Sequence, residues 1–222
     1  MEELTQKKKH SLLLPAVLVI VVLMFIMIHD ILGGTLLSSS PYNSYTRQAL
    51  AWREGNFWLD QDYPWLELAI YGGHYYVSFP PVPSVIMLPL TFLFGVNTPD
   101  NVIALIFCLL IITAVYLAVR NAGGSDRTSA FVAVFFVLGS NLLWMSTDGS
   151  VWFLAQSLNM VLCTFAIYCA MKDKRTLSLT CVALAVGCRP FSFFLFLPLF
   201  VYFVQKDMKE QQLPWYKAAL RQ

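Results

Sequence analysis

Charge is what this sequence has little of: of its 222 residues only 13% are Asp, Glu, Lys or Arg, against 58% hydrophobic, where soluble domains carry roughly 25% charged residues. That supply cannot clothe a water-facing surface, so an ordinary soluble domain is excluded. An excess of one sign is also missing, the formal net charge being +2, and the basic residues sit in short clusters between apolar runs, which excludes a nucleic-acid-binding face. The five cysteines, Cys108, Cys163, Cys169, Cys181 and Cys188, have neither metal-ligand spacing nor the pattern of a secreted disulfide framework, and read as small apolar packing residues. No internal repeat is visible, and polar residues inside the apolar runs are few, Gln156, Ser157 and Asn159 being the exceptions; both absences argue against a transporter.

What is present is a series of long apolar runs. Leu12 to Ile28 follows Lys7, Lys8, Lys9 and His10; it is longer than a signal-peptide core and lacks a small-residue cleavage site, so it reads as an uncleaved first span. Further runs cover Val102 to Val119, Ala130 to Met145, Val151 to Met171, and Leu177 to Val204 interrupted at Arg189-Pro190. A shorter run, Val82 to Phe94, is dense in proline and falls short of a hydrocarbon core about 30 Å thick at about 1.5 Å per helical residue.

Charge placement orders these runs. If Val82 to Phe94 does not cross, then Lys7 to Lys9, Arg120, Arg127, Lys172, Lys174, Arg175, Lys206, Lys209, Lys217 and Arg221 gather on one side, leaving Arg47, Arg53 and Arg189 on the other. The positive-inside tendency makes the richer side cytoplasmic. The expectation is an all-α polytopic membrane protein of about six transmembrane helices plus an interfacial or re-entrant helix, multi-pass in the cell membrane with a cytoplasmic N-terminus. Its organisation is residues 1–11 cytoplasmic, 12–32 the first span, 33–101 an extracytoplasmic loop with interfacial helices, 102–205 a helix bundle turning outward at Arg189, and 206–222 a cytoplasmic tail.

The loop is not a linker by composition. Tyr45, Ala49 and Trp52 recur at helical spacing and Gly55 supplies a stop, so Tyr42 to Glu54 reads as an interfacial helix. Leu66 to Tyr71 and His74 to Phe79 flank Gly72-Gly73, a two-residue connection suited to a short β-hairpin. Phe79-Pro80-Pro81-Val82-Pro83 then imposes an extended entry to the proline-bearing segment. Asp60, Asp62, Glu67, His74 and Arg53 make this loop either a site for interfacial chemistry or a cap with solvated charges.

The succession Pro41-Tyr42-Asn43-Ser44-Tyr45, Ala49-Trp52-Gly55, Leu66-Glu67-Leu68-Ala69, Tyr71-Gly72-Gly73-His74-Tyr75-Tyr76 and Phe79-Pro80-Pro81-Val82-Pro83, with Gly149-Ser150-Val151-Trp152-Phe153 and Gly187-Cys188-Arg189-Pro190 further on, resembles the GT-C superfamily of membrane glycosyltransferases. The likeness is to its family 39-like group, related to protein O-mannosyltransferases and lipid A aminoarabinose transferases, and runs from about Asp30 to Pro198. It implies a GT-C-like N-terminal module that moves a sugar from a polyprenyl-phosphate carrier to an envelope glycan, lipid or protein at the outer membrane face. Such enzymes are longer, so a truncated or split enzyme is expected, with a separate polypeptide supplying the missing C-terminal half. The alternative is a non-catalytic membrane subunit that binds a lipid carrier or a partner protein.

The chemistry implied needs a carboxylate to take the acceptor proton and a cation to hold the departing phosphate. Asp30 matches by position the acid that follows the first span in the family, with Asp60 and Asp62 the next candidates for the base. Arg189 matches a basic residue beside a proline at an outer turn, and guanidinium, always charged and forked, suits an oxyanion. His74, with Tyr75 and Tyr76 beside it, is a candidate substrate contact. The pattern differs from the family's in carrying His29-Asp30 in place of a paired acidic motif and Phe79 in place of a basic residue before the double proline. No cofactor and no metal ligands are predicted, although some GT-C enzymes use a divalent metal ion; the expected partners are the polyprenyl-phosphate-linked sugar and membrane lipids.

Overall fold

A computed structural model describes residues 12–221; the basic cluster Lys7 to His10 lies outside the described residues. The long apolar runs become α1 (Leu13–Ile31), α4 (Asp100–Asn121) and α7 (Val151–Met171), and the loop contributes α2 (Ser44–Arg53) and α3 (Val82–Phe94). Shorter pieces are α5 (Asp126–Leu138), α6 (Leu142–Met145), α8 (Arg175–Val186), α9 (Phe196–Gln211) and α10 (Trp215–Ala219), and a 3-10 segment, Pro190–Leu195, leads directly into α9. Four segments are long and apolar enough to cross a membrane: α1, α4, α7 and the continuous Pro190–Gln211.

Local chemistry explains several boundaries. Ser125 opens α5 by accepting the Thr128 N–H at 3.1 Å, a serine N-cap. The run Ala130 to Met145, read as one segment in sequence, is broken in the structure between α5 and α6. The break has a hydrogen-bonded cause: the Ser140 hydroxyl donates back to the Phe136 carbonyl at 2.7 Å and accepts the Leu142 N–H at 3.2 Å, bending the chain after Gly139. Arg189, with extended backbone (φ −144°, ψ 114°), separates α8 from Pro190, whose ring starts the 3-10 turn.

In the loop, β1 (Leu68–Tyr71) and β2 (His74–Val77) pair antiparallel with Tyr71 opposite His74, so the connection is Gly72-Gly73 alone. Both glycines have positive φ, +57° and +79°, the backbone of a type I′ turn, which side chains with a Cβ resist.

The core centres on α4. Ile103, Ala104, Phe107, Cys108, Ile111 and Ile112 of that helix are buried against Val21 and Phe25 of α1, Ala133 and Val137 of α5, and Leu154, Ala155 and Leu158 of α7. Alanines at the contacts let helix backbones approach closely, as in membrane bundles. About half of α4 is enclosed (56%) but only 17% of α1, whose Val19, Ile20, Leu23, Ile26 and Met27 are exposed. So large an uncovered apolar stripe suits contact with lipid, not water.

Hydrogen bonds fix the helix directions. Asn101, at the start of α4, donates to the Thr35 carbonyl just beyond α1 and accepts the Gly149 N–H just before α7, at 2.8 and 2.7 Å. The end of α1 and the starts of α4 and α7 therefore share one end of the bundle, the loop end. α3 starts and finishes there as well: Val82 N–H donates to the Gly187 carbonyl at 3.1 Å, and Arg53 of α2 donates to the Thr91 carbonyl at 2.6 Å. Opposite, the buried Asp207 accepts from Arg175 through both carboxylate oxygens, while Lys206 meets Asp173 at 3.2 Å.

Candidate functional site

The loop end is assembled from parts distant in sequence. Tyr42 lends its carbonyl to the Val151 N–H at 3.1 Å, and its ring packs on Trp152 with centroids 5.1 Å apart. Trp152 donates its indole N–H to Glu67 at 3.2 Å. On α2, Tyr45 meets Phe79 edge to face at 6.3 Å, and Gln48 accepts from Ser84 of α3 at 2.6 Å. Tyr42, Tyr45 and Phe79 of the loop thus form an aromatic lid packed at the start of α7.

Arg189 enters this assembly from the turn after α8. Its Nη2 donates to the Trp152 carbonyl at 2.7 Å, but its Nε is enclosed without a hydrogen-bond partner. No carboxylate among the described residues lies within ion-pair distance of it. The neighbouring Tyr45 hydroxyl is also enclosed without a partner. Burial pushes the Tyr45 phenol well above its ordinary value, and the Arg189 guanidinium offsets only part of that shift, so the phenol keeps its proton and remains a donor. A half-buried cation held only by a carbonyl, beside an unsatisfied donor, is arranged for an anionic oxygen.

The carboxylates singled out in sequence lie elsewhere. Asp30 is exposed in the last turn of α1, and its backbone carbonyl accepts the Gly33 N–H at 3.0 Å. Its neighbour His29 is buried, with Nδ1 2.9 Å from the Thr35 hydroxyl oxygen. Asp60 accepts from the Tyr63 hydroxyl at 2.9 Å and lines a small pocket with Arg47 and Glu54, whereas Asp62 is exposed. His74 packs on Trp58 with ring centroids 4.3 Å apart. The Tyr75 carbonyl accepts the Leu59 N–H at 2.8 Å, and Tyr76 pairs with Ala69. Asp60, His74 and Tyr75 therefore belong to one subregion, around the hairpin, and no hydrogen bond or ion pair among the described residues joins Asp30, Asp60 or Asp62 to Arg189.

Two other acids stand at the helix starts. Asp100 is 1% exposed and accepts the Ser40 N–H at 3.2 Å and the Thr46 hydroxyl at 3.3 Å. Asp148 accepts the Ser150 N–H at 2.8 Å through Oδ1 and lies on the wall of a groove of about 380 Å³ between the 32–42 segment and the 144–148 turn. Sequence reasoning passed over both because each adjoins an apolar run, where an acid reads as a solvated helix end. The available signal was position: Asp100-Asn101 opens α4 and Asp148-Gly149 immediately precedes the Ser150 cap of α7, the two most enclosed long helices.

No group of three or more His, Cys, Asp and Glu side chains placed to hold a metal ion occurs among the described residues. Family models, curated proteins and solved structures yield no match to this chain, and the chemistry of the loop end rests on the residues that build it.

Proposed function

We propose that this chain is a membrane glycosyltransferase module of GT-C type that receives a polyprenyl-phosphate-linked sugar at the loop end and passes the sugar to an envelope glycan, lipid or protein. The observation that carries the reading is Arg189, without a counter-charge among the described residues and held at a corner where the bundle meets the aromatic loop. Desolvating a cation without a counter-charge is costly, and a lipid phosphate restores the balance. The apolar flanks of α1 would meet the carrier's own solvent, the bilayer.

In this reading about six segments cross: α1, α4, α5 with α6, α7, α8, and Pro190–Gln211, with α3 in the outer interface. Support comes from helix direction, since the chain returns to the loop end at Asp100, Gly149 and Gly187. The loop end faces outward, and the Arg175, Lys206 and Arg120 end faces the cytoplasm with the N-terminus.

In the transfer, an acceptor hydroxyl gives its proton to a carboxylate and its oxygen bonds to the anomeric carbon. The bond from that carbon to the phosphate oxygen breaks, and polyprenyl phosphate leaves with the electron pair, its charge met by Arg189. Asp30, exposed at the loop end of α1, is the sequence-based choice of base, with Asp60 and Asp62 behind it. That no hydrogen bond or ion pair among the described residues joins these acids to Arg189 favours a second reading: a non-catalytic subunit that holds the same lipid carrier for a partner.

One experiment separates the outcomes. Full-length protein in nanodiscs is titrated with polyprenyl phosphate, and release of polyprenyl phosphate from its sugar-linked form is followed. Arg189→Gln is expected to weaken binding roughly tenfold or more, the worth of a charge-assisted contact. Binding without release selects the subunit reading, and equal affinity in wild type and Arg189→Gln removes both.

A further inference from the structure

The groove between the 32–42 segment and the 144–148 turn is unlike the Arg189 corner in every chemical respect. Among the described residues no Lys or Arg lines it; its wall carries Asp148, the hydroxyl-bearing Thr35, Ser39 and Thr147, and the aromatic residues Tyr42 and Trp144. Trp144 is 58% exposed and Tyr42 39%, so both present aromatic surface. Asp148 spends Oδ1 on the Ser150 N–H, and no hydrogen bond occupies Oδ2 among the described residues. Behind the wall, within electrostatic range of Asp148, stands the buried Asp100.

Each feature restricts the ligand. The Asp148 carboxylate, with no cation beside it in the groove wall, repels a phosphate. A divalent cation requires six or more oxygens, but both Asp100 oxygens are turned to Ser40 and Thr46, leaving one free carboxylate oxygen. A lipid tail would strand the carboxylate in hydrocarbon. A neutral molecule rich in hydroxyl donors, with apolar C–H faces to lie on aromatic rings, meets all three conditions, and a pyranose is such a molecule.

We infer that this groove is a sugar-binding subsite, with Asp148 accepting from ligand hydroxyls and Trp144 supplying the stacking face. That the bound sugar belongs to the acceptor rests on the glycosyltransferase reading: Val151 and Trp152, immediately after the Asp148 turn, lead to the carbonyl that holds Arg189, so the groove adjoins the phosphate corner without overlapping it.

The test is saturation-transfer NMR on full-length protein in nanodiscs with the methyl glycosides of glucose, mannose, galactose and arabinose, and ethylene glycol as the control. At least one glycoside should receive saturation and the diol none. Asp148→Asn retains an oxygen for the Ser150 N–H, so the turn is preserved, yet it loses the charge; roughly tenfold weaker binding is expected, the scale of one charge-assisted hydrogen bond. Trp144→Ala should weaken the same glycoside, and Arg189→Gln should leave it unchanged. Absence of saturation from every glycoside, or wild-type binding in both Asp148→Asn and Trp144→Ala, overturns the assignment. If glycoside binding passes while polyprenyl phosphate ignores Arg189, the groove stands and the transferase reading falls; the opposite pair of results removes the groove alone.

Discussion

Gly149 lies so close to Asp100 that a Cβ on residue 149 would stand 2.3 Å from the Asp100 carbonyl carbon. The contact, with the Gly149 N–H donated to Asn101, locks the starts of α4 and α7 together. Gly149→Val should force the two helices apart at a cost of about 1–3 kcal/mol, the usual penalty of overpacking. Thermal unfolding in nanodiscs measures the loss, and a midpoint equal to wild type would show that the ends slide freely.

At the other end, Asp207 is 1% exposed and holds Arg175 through both oxygens. Asp207→Ala removes both of these carboxylate contacts from the guanidinium, and breaking so enclosed a pair should cost about 3 kcal/mol. Protease sensitivity of the 172–175 turn is the readout. Because this pair lies at the opposite end of the bundle from the Arg189 corner, the polyprenyl phosphate binding proposed there should survive in the folded fraction.

The same turn should respond to acid. Although burial pushes the Asp173 carboxyl upward, hydrogen bonds and charge from Arg175 and Lys206 outweigh it and hold the group below its ordinary value of 3.8. A group with a depressed folded value contributes stability that is fully present above its unfolded value and is lost as pH falls through the folded one. The protection factors of the α7–α8 turn amides, with the intrinsic pH dependence of exchange divided out, should therefore be flat down to about pH 4 and fall below it, and Asp173→Asn should abolish that step.

Gly72→Val with Gly73→Val tests the hairpin. Both positions hold positive φ, which costs a residue with Cβ roughly 1–2 kcal/mol each, and a two-stranded hairpin has little to spare. Amide protection should vanish from β1 and β2 and His74 should leave Trp58, while the unfolding midpoint of the bundle stays within about a degree of wild type. A hairpin that remains protected would mean that its packing on Leu59 and Tyr63 outweighs the turn.

Much of the scaffold was legible because it follows from periodicity and turn chemistry. The run Val82 to Phe94 coincides with α3, and Val151 to Met171 with α7; Gly72-Gly73 makes the two-residue turn its composition favours. The break in Ala130 to Met145 was hidden because it depends on where one hydroxyl, that of Ser140, points. Arg189 was found at the turn that precedes Pro190, but the lack of a counter-charge is a property of three-dimensional neighbours. Asp100 and Asp148 read in sequence as helix-end acids, since only the meeting of the 32–42 segment with the starts of α4 and α7 buries the first and gives the second a groove to face.

The tether between Val82 and Gly187 also carries a meaning for biosynthesis. The ribosome delivers the aromatic lid early, yet the carbonyl that anchors it, the Asp148 turn beneath it and the arginine beside it are all translated later. Contacts so distant in sequence form slowly, so the lid must wait half-made while the later helices insert. A nascent chain arrested before residue 151 would carry Tyr42 without its seat, and one arrested before residue 187 would carry Val82 without its anchor, so a mutation in the late segment would be felt first as misassembly of the early one.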